Sequence, residues 1–351
     1  MLKRILSGDM PQSRALGLIL LAILIGLAFA PFLFPGTRSL DTAARICVFV
    51  ALAASYDLLL GYAGIVSFAH TMFFGLGAYG VALASDGMGR SFGALAAGSL
   101  AGALAAAALA LLVGLFSLRV RAIFFAMITL AVASAVAVLF SQLSGITGGE
   151  DGLNYRIPRA LTAAARYAEE PFLGMRLTGK VLNYYLVFFG ALILFLALLR
   201  VVNSPFGRVL QAIRENEFRA EAIGCRVVWH RTAATVISAV SAALAGSLYA
   251  IWLRYVGPDT VLSFEIMVDI LLMVVIGGMG TMYGAAVGAA LFVLAQNYLQ
   301  ALMGAAAEAA AGVPGLPLIL DPDRWLLWLG ALFILSVYFF PTGVVGRLRG
   351  R

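Results

Sequence analysis

NSPFGRVLQAIRENEFRAEAIGCRVVWHR, residues 203–231, lies between two stretches in which charge almost vanishes. Its own charges are Arg208, Arg214, Glu215, Glu217, Arg219, Glu221, Arg226 and Arg231. Before it, 183–202 holds a single charge, Arg200, and after it 232–253 holds none. Each flank approaches the roughly 20 apolar residues an α-helix needs to cross a bilayer. A charged segment hung between two such runs reads as a loop outside the membrane, and the chain around it as a bundle of lipid-embedded helices.

The composition agrees. The chain has 351 residues, of which 62% are hydrophobic and 12% charged, whereas a soluble domain carries about 25% charged residues. The net charge of +7 does not indicate nucleic acid, because the basic residues are scattered among apolar spans. It fits inner loops held against an anionic leaflet. Cys47 and Cys225 offer no disulfide framework and no C-x-x-C. With His70 and His230 as the only histidines, the sequence holds no arguable metal site or nucleophile triad and calls for no cofactor. The expected class is an all-α polytopic membrane protein, residues 1–351 forming one transmembrane domain and not an enzyme.

Ten spans are predicted, at about 14–34, 43–60, 63–85, 92–116, 120–142, 183–202, 232–253, 263–280, 283–303 and 324–340. Gly277-Gly278-Met279-Gly280 interrupts 263–303, which also reads as one span plus a re-entrant piece. Lys3 and Arg4 precede an apolar run closing on Ala28-Phe29-Ala30, the pattern of a signal-peptide cleavage site. Ala15 to Leu33 is nonetheless long enough to span, and Pro31 follows the cut, so a retained first span is the reading. With the N-terminus inside, most basic residues fall inside: Lys3, Arg4, Arg14, Arg119, Arg121, Arg200, the arginines of 203–231, Arg347, Arg349 and Arg351. Residues 143–182 then form a long periplasmic loop and 203–231 a cytoplasmic one.

Two motifs mislead. Gly75-Leu76-Gly77-Ala78-Tyr79-Gly80 satisfies G-x-G-x-x-G, yet it sits inside an apolar span, where the glycines read as helix-packing positions. Gly174 to Val181 nearly spells a phosphate-binding loop, but Val181 replaces the magnesium-binding hydroxyl. Gly98-x-x-x-Gly102 and Gly280-x-x-x-Gly284-x-x-x-Gly288 have the spacing that lets helix backbones touch.

Within 203–231, Ser204-Pro205 reads as a helix start. Phe206, Val209, Leu210 and Ile213 share one face at helical spacing. Asn216 can cap a second, very short helix with Glu217 at its positive end, and Gly224 can close it in a left-handed conformation. A helix of two turns persists only when packed on something. The spacing alone leaves two readings open, a solvated surface helix or a handle for a partner.

A resemblance separates them. Ala220-Glu221-Ala222-Ile223-Gly224 resembles the E-A-A…G cytoplasmic loop of bacterial ABC importer permeases. Ser204-Pro205-Phe206-Gly207-Arg208 and Ala212-Ile213-Arg214-Glu215-Asn216 resemble the branched-chain amino acid permeases of the LivH/LivM type. Gly61-Tyr62-Ala63-Gly64, Ser67-Phe68-Ala69-His70, Phe74 to Tyr79, Ile146-Thr147-Gly148-Gly149, Asp151-Gly152-Leu153 and Met273 to Gly280 agree, so the resemblance covers about residues 40–300. Length and the long outer loop favour the LivM-like member. The resemblance implies a second homologous permease subunit, two cytoplasmic ATPases gripping the coupling loop, and a periplasmic binding protein delivering branched-chain amino acids in the bacterial inner membrane, with both termini cytoplasmic. Urea or short amides are the alternative cargo. The expected ATPase-coupling residues are Arg214, Glu217, Phe218, Arg219, Glu221 and Gly224, with Phe218 as the anchor.

Ionisable residues inside a membrane are expensive and often functional. Ser67, His70 and Thr71 share a face and are candidates to line the pathway, with Glu265 and Asp269 near its outer mouth drawing in the ammonium group. The plainer alternative makes Asp57 and His70 a structural pair across a tight Gly61–Gly64 turn and leaves Glu265 and Asp269 solvated. A different class of protein, an ion-coupled secondary transporter, would use Asp57, His70, Glu265 and Asp269 as a proton relay.

Overall fold

Lipid leaves backbone N–H and C=O groups no partners but each other, so a spanning chain of this kind closes its hydrogen bonds within helices. The computed structural model describes residues 13–33, 36–117, 122–167, 178–309, 321–339 and 343–348. Lys3, Arg4, Arg119, Arg121, Arg349, Arg351 and residues 174–177, Arg176 among them, lie outside the described residues.

Each expected span has a helix. The long elements are α1 (Arg14–Ala28), α2 (Thr37–Asp57), α3 (His70–Gly87), α4 (Phe92–Ser117), α5 (Ala122–Gln142), α6 (Gly179–Val202), the loop helices α7 (Pro205–Glu215) and α8 (Glu217–Ala222), then α9 (Val227–Leu253), α10 (Phe264–Gly277), α11 (Met282–Ala309) and α12 (Trp325–Phe339). Among the described residues, seven helices are long and apolar enough to cross a membrane. α1 packs into the bundle: Leu16 is fully buried beside Val287 and Val345, and Tyr184 and Tyr185 donate to the Leu27 and Ala28 carbonyls. Two helices, α10 and α11, occupy 263–303, where a re-entrant piece was the other reading.

Burial sorts the bundle. In the span Thr37–Ala63, 89% of the apolar window is buried, against 17% for Ile123–Gln142, so α2 is the axis and α5 stands at the edge. The helices α3, α4 and α9 meet on glycine. A Cβ at Gly77 would strike the Ala243 carbonyl, one at Gly246 the Phe74 carbonyl, and Gly80 and Gly98 block each other's backbone. The G-x-G-x-x-G run is therefore a packing seam, and Gly98-x-x-x-Gly102 is its other half. Gly284 and Gly288 do the same for α11 against the Gly277–Gly278 end of α10.

The junction of the second and third spans differs from the expectation. No turn occurs at Gly61–Gly64. Instead α2 continues as a π-helical turn, Leu58–Ala63, and Gly64 ends it in the left-handed region at φ 68°. Residues 64–69 then run without regular structure inside the bundle before α3 begins. Irregular backbone at membrane depth survives only where protein satisfies it. Thr129 Oγ1 of α5 takes the Phe68 N–H at 3.1 Å, and Ser67 Oγ takes the Ala69 N–H at 3.3 Å.

At the opposite end of the bundle, the segment after α5 is built rather than slack. Gly148 and Gly149 turn it at positive φ, and Leu153–Asn154 pairs antiparallel with Tyr255–Val256, a two-residue ribbon in an otherwise helical protein.

Candidate functional site

The 203–226 loop is a helix–helix hairpin whose caps match the sequence signals. Ser204 Oγ accepts from the Gly207 N–H, Asn216 Oδ1 accepts from the Arg219 N–H at 2.9 Å, and Gly224 sits at φ 90°. Leu210 and Ile213 are only 0% and 1% exposed, and Phe206 stacks on the His230 ring at 6.0 Å between centroids, so α7 lies with its apolar face on the bundle. Only Ala220 of α8 is buried, against Ile213 and Val227. The six residues of α8 are thus held by two caps, that small contact and a 2.9 Å ion pair from Glu217 to Arg231 on α9.

What α8 does not bury is informative. Phe218 is 81% exposed and Ile223 79%, side chains whose own chain offers them no pocket. Arg219 and Glu221 also project outward. Glu217 is spent on the Arg231 pair and faces back to the bundle. Arg214 goes the other way entirely. Its Nη1 donates to the Gly61 carbonyl at the end of α2, beneath the loop. A Cβ at Gly64 would press on the Arg214 stem, and one at Gly280 on its guanidinium.

The intramembrane polar residues separate rather than gather. Asp57 Oδ1 accepts the Gly280 N–H at 2.8 Å, while His70 Nε2 lies 2.8 Å from Ser55 Oγ. The expected Asp57–His70 pair is not formed: Ser55 and Asp57, two positions apart on the helix, point to different faces, one toward His70 and the other toward Gly280. Ser67, His70 and Thr71 are buried to 2% or less and so lie in helix packing in this conformation. Asp269 accepts from Gln296 Nε2 at 3.4 Å, and Glu265 is exposed one turn away. Asp57, His70 and Asp269 thus bond to separate partners, and these contacts trace no continuous relay.

The other end of the bundle holds a cavity of about 750 Å³ whose lining, among the described residues, includes Arg90, Arg156, Arg159 and Arg254 and no acidic residue. Arg254 caps α9 with φ 61°, a left-handed conformation rare for a side-chain-bearing residue. Its carbonyl is anchored by the Tyr155 N–H. Burial of the Tyr155 phenol in the same wall raises its pKa far above the usual range. Sequence reasoning missed this convergence, since the four arginines come from three loops; it also passed over Ile223 as an anchor and Thr129 as a backbone partner.

Comparison with known proteins bears on all of this. The family described as branched-chain amino acid transport system permease component matches residues 39–321. The high-affinity branched-chain amino acid transport system permease protein LivM of Salmonella typhimurium is 26% identical over 95% of this chain and 75% of its own length. LivM of Escherichia coli matches equally, and a probable LivM of Methanocaldococcus jannaschii is 28% identical over 62% of this chain and 58% of its own. No solved structure matches the chain significantly.

Proposed function

Since this chain belongs to the branched-chain amino acid transport permease family, as a LivM-like ABC permease, we propose that it forms half of the translocation pathway of an ATP-driven importer. The other half is a second, homologous permease. Two ATPase subunits grip the 203–226 loop in the cytoplasm, and a periplasmic binding protein delivers leucine, isoleucine or valine to the opposite face. The chain sits in the bacterial inner membrane with both termini cytoplasmic, and its partners hydrolyse the ATP. The observation that carries this reading is the short helix α8, rigidly capped yet presenting Phe218 and Ile223 to solvent. Exposed aromatic and aliphatic anchors on a fixed helix suit a partner's groove.

The test is reconstitution. Proteoliposomes containing the two permeases and the ATPases, supplied with loaded binding protein, are expected to take up a branched-chain amino acid only when ATP is enclosed on the 203–226 side. Uptake by this chain alone under a proton gradient would overturn the reading in favour of a secondary transporter. Uptake of urea or short amides with the same ATP requirement would overturn the cargo and keep the machine.

The arginine cavity supports the delivery step, because a positive concavity on the outer face complements acidic side chains and steers their approach. Arg156→Glu combined with Arg254→Glu is expected to weaken stimulation by the binding protein about fivefold at low salt, and less in 0.5 M salt, where screening is strong. Titration of ATP hydrolysis with binding protein measures it, and a salt-independent or absent effect would sink the assignment.

A further inference from the structure

We propose that Arg214 and Asp57 form the link through which movement of the 203–226 loop reaches the membrane helices, an inference that rests on the coupling reading of that loop. Arg214 stands in the last turn of α7, immediately before the Glu215-Asn216 step into α8. It therefore moves with whatever grips α8. Most of its stem is exposed, yet its guanidinium reaches under the loop and donates to the Gly61 carbonyl. There it also acts electrostatically on Asp57, which is fully buried. Asp57 in turn accepts the Gly280 N–H at 2.8 Å, in the short connection between α10 and α11.

Two side chains thus tie three separate elements: the loop, the inner end of α2, and the α10–α11 connection. The surrounding backbone is cut to fit them. A Cβ at Gly61 would collide with the Asp57 carboxyl and the Gly280 nitrogen, one at Gly64 would meet Arg214 Cγ at 3.0 Å, and one at Gly280 would meet Arg214 Nη1 at 2.9 Å. The π-helical turn Leu58–Ala63 belongs to the same construction. A π-turn disturbs the regular helix ladder, commonly at functional positions, and here the carbonyl that receives Arg214 lies within it. Sites that stabilise without moving do not need a partner drawn from an exposed loop. This one draws a long side-chain donor, Arg214, from the loop that carries Phe218.

A staple and a link fail differently. Loss of a staple lowers the amount of folded protein. Loss of a link leaves the transporter assembled and burning ATP while cargo stays behind. The experiment uses the complete transporter in proteoliposomes with loaded binding protein, and compares Asp57→Asn, Arg214→Gln, their combination and Arg214→Lys. ATP hydrolysis, uptake and ATPase co-purification are read on the same preparations. Each single variant is expected to lower uptake per ATP hydrolysed about tenfold with co-purification unchanged, and the double variant to fall no further, because interacting residues are non-additive. Arg214→Lys, which keeps the charge without the fork, is expected to recover part of the loss. Thermal stability and yield of folded protein, read on the same preparations, separate a lost link from a lost fold. Unchanged uptake per ATP, additive losses, or a deficit confined to yield of folded protein would each overturn the link. If the unaltered chain fails to capture the ATPases at all, the coupling reading falls first, and that outcome is separately visible in the co-purification.

Discussion

Phe218→Ala is expected to abolish most of the proposed grip of ATPase subunits on this permease while leaving the permease folded. The side chain is 81% exposed and contributes almost nothing to the chain's own core. Exposed positions of this kind change stability by about 0.5 kcal/mol or less. As the central anchor in a partner's groove the same ring is worth at least about 2 kcal/mol, a roughly 30-fold weaker association. Ile223→Ala, 79% exposed on the other side of α8, is expected to show a smaller loss in the same direction. Co-purification of the ATPases with tagged permease, alongside thermal denaturation in detergent, measures both quantities. Equal capture by wild type and Phe218→Ala would remove the handle. A large drop in thermal stability would show that Phe218 belongs to the core after all.

Gly77→Ala and Gly246→Ala are expected to be severe for the opposite reason. Both are inside the α3–α9 seam, where a single added methyl meets a backbone carbonyl, Ala243 in one case and Phe74 in the other. Backbone cannot swing aside as a flexible side chain can, so the helices must part. Overpacking of this kind destabilises by about 1–3 kcal/mol per site. Ser247 Oγ, which donates to the Gly77 carbonyl at 3.1 Å, loses its geometry as the helices separate. The expected result is a reduced monodisperse fraction and a lower half-inactivation temperature for each variant. Gly26→Ala serves as the control, since a Cβ there meets nothing within 4 Å. Wild-type stability in Gly77→Ala would mean the seam is looser than drawn.

The spans were legible because lipid makes a simple demand, about 20 apolar residues per crossing, and Ser204, Asn216 and Gly224 announced their helices by local chemistry alone. Where the partner is distant in sequence, local chemistry is silent. The break at residues 64–69 is held by Thr129, some 60 residues away, and nothing in Leu58 to Ala63 distinguishes a π-turn from a helix end. In sequence Arg214 stands with the expected coupling residues of its own loop. Its true direction depends on bare carbonyl and glycine surface at Gly61 and Gly280, which no spacing rule within 203–231 contains. For the same reason Asp57 was matched with His70, across the supposed Gly61–Gly64 turn, and not with Gly280. The arginine cavity is the extreme case, assembled from Arg90, Arg156, Arg159 and Arg254 by a two-residue ribbon too short to be seen as strand.

One helix touches both ends of this machinery. α9 runs without interruption for 27 residues, about 40 Å at 1.5 Å per residue. Its first turns carry Arg231, clasped to Glu217 of α8, and its last residues, Leu253 and Arg254, are wall of the outer cavity. A push at either mouth is therefore felt at the other along a single stiff shaft, with no flexible joint to absorb it on the way. In the proposed importer, arrival of cargo and the power stroke of the ATPases would act on the two ends of one rod.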